Sequence, residues 1–338
     1  MSRLVTTAPG KLVLSGEYAV LAGAPALVIA VDRRVSCELG ARTEPGWQFR
    51  STGFEATSTH TLPALLDGED LKPEDPARIC QAILRTLHRH DLSVSRLPMG
   101  LEVTVDSNAF YHADTKLGLG SSAAACVALT RAFLELAQSP ADTLLIALAA
   151  HHALQGGRGS GLDVATACLG GLVEFRRTAE PGFPATKRRE LPAGVHLGFF
   201  WSGSSTATAD QLKRFERWTG TTRPQPLAAL VEAATEVTHA LPDADDFMRQ
   251  LRAYSQCLRA MDKASGIGIY GESHRALAEL ADSCDVIYKP SGAGGGDVGI
   301  AIARSAGEIE AFSKRAGAVN IAPLVLGMEQ HGIEVSRR

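Results

Sequence analysis

Residues 116–124 read KLGLGSSAA, and the class of the whole chain turns on what Gly118, Gly120, Ser121 and Ser122 are for. Behind them runs ACVALTRAFLELA, a stretch with the length and composition of a helix ending near Ala137. Two readings of the stretch are open. One is a tight turn with a capped helix behind it. The other is an anion cradle, in which glycines bring backbone N–H groups close to a phosphate. The helix would add its unpaired first-turn amides and the positive end of its dipole. Serine hydroxyls at 121 and 122 would then serve a phosphate oxygen or Mg²⁺.

Known phosphate-binding templates narrow the choice. The dinucleotide pattern G-x-G-x-x-G/A matches at Gly118-Gly120-Ala123, at Gly266-Gly268-Gly271 and at Gly294-Gly296-Gly299. It requires a strand directly before the glycines and a helix directly after. The first match follows a long loop, DSNAFYHADTK, the second follows a helix, and the third leads into the strand-like VGIAIA. A Rossmann dehydrogenase is therefore disfavoured. The Walker A ending GK[ST] is absent, which disfavours a P-loop fold.

Three further stretches carry residues suited to the same chemistry. APGKLVLSGEY (8–18) places Lys11 among apolar strand residues, where an ammonium is costly unless it is paired, functional or reaching solvent from a sheet edge. SGAGGGD (291–297) packs glycines between two strand-like runs. It is either a backbone held close to a ligand or a flexible hairpin tip. HHALQGGRGSGLDVATA (151–167) sets Asp163 after a Gly-Ser-Gly turn, where it could orient or deprotonate a hydroxyl, or cap the next helix. The adjacent His151 and His152 point about 100° apart on a helix, which is the wrong geometry for a zinc pair.

Composition sets the outer limits. The chain has 338 residues, 45% of them hydrophobic and 21% charged, so it is globular rather than disordered. A formal net charge of −3 supplies no global field toward nucleic acid or membrane. The short basic run Lys187-Arg188-Arg189 reads as solvated surface. Six scattered cysteines without a CxxC pair suit buried free thiols in a reducing cytoplasm. The N-terminus lacks an apolar signal core, and no stretch reaches the roughly 18 apolar residues of a membrane span.

The order of elements predicts two α+β halves. RLVTT, KLVLSG, ALVIAVD and RRVSCELG read as short strands, and Ala77–His90 as a helix with Ile79, Ile83, Leu84 and Leu87 on one face. LEVTVDSN is a strand. Ser139-Pro140-Ala141-Asp142 predicts a helix start with Ser139 as N-cap, and the helix runs to Gln155-Gly156-Gly157. The Pro-, Gly- and charge-rich stretch 176–194 is the expected junction, dividing the chain at 1–185 and 186–338. Beyond it come a strand (VHLGFFW), helices near 226–240 and 244–265, a shorter helix, two strands around the late glycines, another helix and a final strand. No internal repeat is visible.

Order and spacing say more than any one motif. PGKLVLSGEYAVL, then KLGLGSSAA, then KPSGAGGGD resembles the galactokinase–homoserine kinase–mevalonate kinase–phosphomevalonate kinase (GHMP) superfamily of small-molecule kinases over nearly the whole chain. Four details resemble its phosphomevalonate kinase branch. They are GEY in the first motif, AHHALQGGRGSGLDVATA, the segment WSGSSTATADQL, and Asp297 closing the last motif. One departure is Gly157, where the branch has a lysine, with Arg158 beside it.

That resemblance implies a GHMP kinase α+β fold. Its N-terminal half is a ribosomal protein S5 domain 2-like ATP-binding domain, its C-terminal half is ferredoxin-like, and the substrates lie between. It implies ATP and Mg²⁺ as cofactors and phosphomevalonate as acceptor, in a monomer or homodimer without nucleic-acid or membrane partners. Neighbouring activities on the same fold are mevalonate kinase and diphosphomevalonate decarboxylase, and a non-catalytic nucleotide-binding protein is the alternative of another class. Lys116, Gly118, Leu119, Gly120, Ser121, Ser122 and Ala123 are then expected around ATP, with Ser122 toward Mg²⁺. Lys11, Asp163 and Ser122 are the expected catalytic set. Lys11, Glu17, Tyr18, Arg158, Ser160, Gly161, Ser291, Gly292, Ala293 and Gly294 are expected around the acceptor. Lys116, Arg158 and Lys213 are candidate cations for its charges.

Overall fold

The structure is a computed structural model that describes residues 3–90, 92, 94–178, 184–220 and 224–338. It opens with two long strands, β1 (Leu4–Ser15) and β2 (Ala26–Ala41), then β3 (Gly46–Ser51) and β4 (Ser58–His60). Helices α1 (Leu62–Asp67) and α2 (Arg78–Arg89) lead to β5 (Gly100–Asp106) and the small ribbon of β6 (Tyr111–His112) and β7 (Thr115–Lys116). Three helices follow, α3 (Ser121–Leu136), α4 (Thr143–Leu154) and α5 (Leu162–Leu169), and then the hairpin of β8 (Leu172–Arg176) and β9 (Ala185–Arg189). The remainder runs β10 (His196–Trp201), α6 (Thr208–Thr219), α7 (Gln225–His239), α8 (Ala244–Ser265) and α9 (Glu272–Asp282). It finishes with β11 (Ile287–Pro290), β12 (Val298–Ala303), α10 (Ala306–Ala318), β13 (Pro323–Leu324) and β14 (Glu334–Arg337).

The four short strands expected at the N-terminus are two continuous ones. Pro9-Gly10 does not break β1. Pro9 pairs opposite Arg34 and Gly10 opposite Val31, so β2 carries extra residues there and the ladder steps past a proline with no N–H to give. The first sheet runs β14-β1-β2-β5-β3-β4, with β8 on β2 and β9 on β8; the second runs β11-β12-β10-β13. The mixed α+β architecture is as expected. Strand pairing crosses the expected linear division at two places: β9, which starts at the expected boundary, pairs with β8 in the first sheet, and β14, from the far end of the chain, pairs with β1. Residues 179–183 of the expected junction lie outside the described residues.

Helix α3 explains how the GLGSS stretch is held. Ala123 through Thr130 are all buried, so the helix lies between sheet and neighbouring helices rather than on the surface. Its small side chains allow close approach to β1 and β2, and Thr6 of β1 donates its hydroxyl to the Ala128 carbonyl at 2.8 Å. The start of α4 differs from expectation. Asp142, not Ser139, is the N-cap, accepting from the Leu144 amide at 2.7 Å, while Ser139 Oγ accepts from Ala141 N–H. Helix α5 is the helix expected next to Asp163, whereas the sequence pattern marks no helix at α6. In α6 the buried Phe215 ring lies 5.0 Å from that of Tyr18, which ties the second half of the chain to the β1–β2 connection.

Candidate active site

The site is assembled along one edge of β1. The backbone N–H of Lys11 donates to the carbonyl of Leu119, at 2.8 Å, and that of Val13 to Ser291 Oγ, at 2.7 Å. Two amides of one strand thus hold the early and the late glycine loops, with Lys11 between them. Its backbone does use a free edge, but the edge is covered by these loops.

Geometry around Lys11 is tight. A Cβ added at Gly120 would lie 3.3 Å from Lys11 Cε and 3.7 Å from Asp163 Cβ, and one at Gly292 would lie 3.7 Å from Lys11 Nζ. Gly120, in left-handed conformation at φ 81°, is the N-cap of α3, so no side chain caps that helix. Its first-turn amides open into a cavity of about 300 Å³ lined by Lys11, residues 118–123, Asp163, Gly292, Ala293 and Asp297. Among the described residues Lys11 makes no ion pair, although it is only partly exposed. An unpaired ammonium held there is suited to an anion.

Asp163 is the second residue of α5, whose N-cap is Gly161, so it does not cap the helix; its Oδ1 accepts from the Val164 amide at 3.1 Å. Ser122 Oγ lies 3.5 Å from Nε2 of His151, which is buried while His152 is exposed. Leu119 and Ala123 have buried side chains and bound the cavity, and Lys116 sits over the Tyr111 ring, 5.9 Å from its centre.

The third glycine loop is built on a buried polar frame. Lys289 is fully buried and pairs with Glu17, and it also donates to the carbonyls of Val13 and Pro290 at 3.1 and 2.8 Å. Tyr254 donates to the other Glu17 oxygen at 2.6 Å and accepts from the Gly16 amide at 2.9 Å. Glu17 also faces the Gly292 N–H at 3.4 Å. Burial lowers the Lys289 pKa against the opposing pull of Glu17. His274, also buried, joins Tyr288 and the carbonyl of Gly296, each at 2.8 Å, and desolvation lowers its pKa.

Several expected acceptor contacts therefore have other employment. Both carboxylate oxygens of Glu17 are engaged by the frame. Ser291 Oγ accepts from the Val13 amide, which leaves its proton and one lone pair for other contacts. Tyr18 donates to the carbonyl of Ala293 at 2.5 Å. Gly294 packs against Ile269, where an added Cβ would stand 2.5 Å from that side chain, and it does not face the cavity. Lys213 is exposed, pairs with Asp210 at 3.2 Å and lines neither cavity of the site. Arg158 lines a neighbouring cavity, while Ser160 is shared by both.

The residue most clearly missed is Asp297, which the sequence marked as a branch feature and not as part of the site. It adopts φ 61° and bonds through its backbone to Ser204 and Ser202, at 2.8 and 2.9 Å. Its Oδ1 is buried and has no hydrogen-bond partner among the described residues. Burial raises its pKa, opposed by Ser205, Lys11 and the Thr206 backbone. A Cβ on Gly118, at φ 72°, would fall 2.2 Å from its carboxyl carbon, so the GLGSS turn and Asp297 fit only because residue 118 is glycine. The second glycine match, at 266–271, is explained differently. Asp262 accepts from the amides of Gly268, Ile269 and Tyr270 at 2.7–2.8 Å, so a side chain already occupies that nest.

A glycine loop at a helix N-terminus, facing an unpaired lysine, an aspartate and a second glycine loop, is the arrangement of a small-molecule kinase of the GHMP type. Residues 77–171 match the GHMP kinases N terminal domain. A phosphomevalonate kinase from a Streptomyces species is 30% identical, with 98% of each chain covered. One from Saccharolobus solfataricus is 27% identical over 91% of this chain and 93% of its own. The structure of Streptococcus pneumoniae phosphomevalonate kinase in complex with phosphomevalonate and AMPPNP covers 96% of this chain and 99% of its own, with TM-score 0.79 and 19% identity, and shares the fold. This chain belongs to the phosphomevalonate kinase family of the GHMP kinases.

Proposed function

We propose that the protein transfers the γ-phosphoryl group of ATP to (R)-5-phosphomevalonate, giving ADP and 5-diphosphomevalonate. The observation that carries this is Lys11 held between two glycine loops by its own strand, together with a near full-length relative of that activity at 30% identity.

Phosphoryl transfer asks the protein mainly for positioning and charge neutralisation. The amides at the start of α3 bind the ATP phosphates, in the place a capping side chain would otherwise take. A side cavity of about 250 Å³ adjoins Ser121 and Ser122 and is bounded by Phe54, Ile79, Val105 and Tyr111. It takes the base. Lys11 neutralises charge between the γ-phosphate and the acceptor phosphate. That phosphate, with a second pKa of about 6, is largely ionised at pH 7. A strong base is then unnecessary, and Asp163 orients Lys11 and the attacking oxygen rather than removing a proton. Gly292 and Ala293 cover the transferring group.

A magnesium ion usually takes one or two carboxylates plus substrate phosphates rather than a dedicated protein cage. The orphaned Oδ1 of Asp297, the Asp163 carboxylate and the Ser122 hydroxyl fit that role, and no cluster of three or more metal-ligating side chains occurs among the described residues. When bound, such an ion supplies charge for the β- and γ-phosphates. A cytoplasmic location is supported by six unpaired cysteines, and no helix among the described residues is long and apolar enough to cross a membrane. Measuring ADP formation with each of the related acceptors in turn tests the assignment.

A further inference from the structure

A second cavity, of about 510 Å³, shares a wall with the first. The common residues are His151, Gln155, Gly159 and Ser160, so the two spaces meet beside Asp163. Three arginines from separate parts of the chain line this second space: Arg89 at the C-terminus of α2, Arg158 in the α4–α5 loop, and Arg177 just beyond β8. Its described lining also holds three histidines and no carboxylate. Arg89 donates to the Arg85 carbonyl and to Thr86 Oγ1, both at 3.3 Å, while Arg158 and Arg177 make no ion pair among the described residues. Uncompensated guanidinium groups converging on one concavity form an anion site.

The reading above says which anion, and the inference rests on that reading. Phosphomevalonate carries two: the phosphate that receives the new group, and a carboxylate at the opposite end of its carbon chain. The phosphate must lie at Lys11, against the γ-phosphate. The main cavity offers the carboxylate no cation of its own, because Lys11 and Lys116 flank the phosphate loop and Asp163 and Asp297 repel it. Apart from Lys11 and Lys116, the unpaired positive charge that adjoins this space among the described residues lies past Ser160, in the arginine-lined cavity. We propose that Arg158, with Arg89 and Arg177, binds the carboxylate of the acceptor and so fixes which end of it faces ATP. A guanidinium fork matches a carboxylate in a way an ammonium does not, which gives Arg158 a role distinct from that of the neighbouring lysine found in the branch.

The test compares two acceptors, phosphomevalonate and 3-hydroxy-3-methylbutyl phosphate, which is the same molecule without the carboxylate. Wild-type enzyme is expected to show a KM for phosphomevalonate about tenfold or more below that for the truncated acceptor, as a charged hydrogen-bonded contact gives. In R158Q, R177Q and the double variant the KM for phosphomevalonate should rise toward the truncated acceptor's value. The truncated acceptor's KM and the KM for ATP should not change. An equal rise for both acceptors would mean that the arginines hold the phosphate, and no change for either would mean that the cavity does not take the acceptor; both overturn the proposal. A wild-type enzyme that makes no ADP with phosphomevalonate would instead overturn the functional reading on which it rests.

Discussion

The Lys11 amide donates to the Leu119 carbonyl at 2.8 Å, so strand β1 and the 118–122 loop are joined through backbone atoms and not through the lysine side chain. Replacing Lys11 by methionine should therefore leave the loop in place and remove only the ammonium. Turnover should fall by about tenfold to a thousandfold, the range for a lost electrostatic group, with the thermal midpoint little changed. Asp163→Asn should behave alike. Steady-state kinetics beside thermal melts check this, and wild-type turnover in both variants would take the two residues out of catalysis.

Ser122 has two possible employments, toward the phosphates or toward His151 at 3.5 Å. Ser122→Ala should raise the concentration of Mg²⁺ or ATP needed for half-maximal rate. If a magnesium titration of the variant overlays that of the wild type, the hydroxyl serves only its histidine neighbour.

Asp297 carries a pH signature. Burial raises its folded pKa above the ordinary aspartate value of about 3.9. A group shifted this way contributes stability below its unfolded pKa, and that contribution is lost as pH rises through the folded pKa. In the ligand-free enzyme at neutral pH the charged carboxylate is therefore a net burden. Asp297→Asn should raise the melting midpoint at neutral pH, lose that advantage as pH falls into the carboxylate range, and turn over more slowly. A shift of the midpoint that is constant with pH would assign the effect to packing instead of charge.

Removing either partner of the fully buried Glu17–Lys289 pair should cost about 3–5 kcal/mol, because the survivor keeps its charge without its counter-charge. Glu17→Gln with Lys289→Met together should cost much less than the sum of the two. Urea denaturation of the four proteins gives the coupling directly, and additive costs would show that the two residues do not depend on each other.

This pair also shows where the sequence stopped being legible. The start of α3 and the end of α8 at Gly266 could be read because the causes are local: turn glycines, small residues and helical period, whereas residues 118–122 taken alone fit a capped helix as well as an anion cradle. Glu17 read as an acceptor contact because its partner lies 272 residues away, and Lys289 read as part of a strand. Asp297 was visible as a residue type and not as a neighbour of Gly118. Arg89 and Arg177 have the sequence surroundings of solvated surface residues, and only the fold brings them to Arg158.

The most direct measurement incubates the purified protein with ATP and Mg²⁺ and, separately, mevalonate, phosphomevalonate and diphosphomevalonate, following ADP and CO₂. The account predicts ADP with phosphomevalonate alone and no CO₂ from any of the three. ADP formation with mevalonate in place of phosphomevalonate, or CO₂ released from diphosphomevalonate, would contradict it.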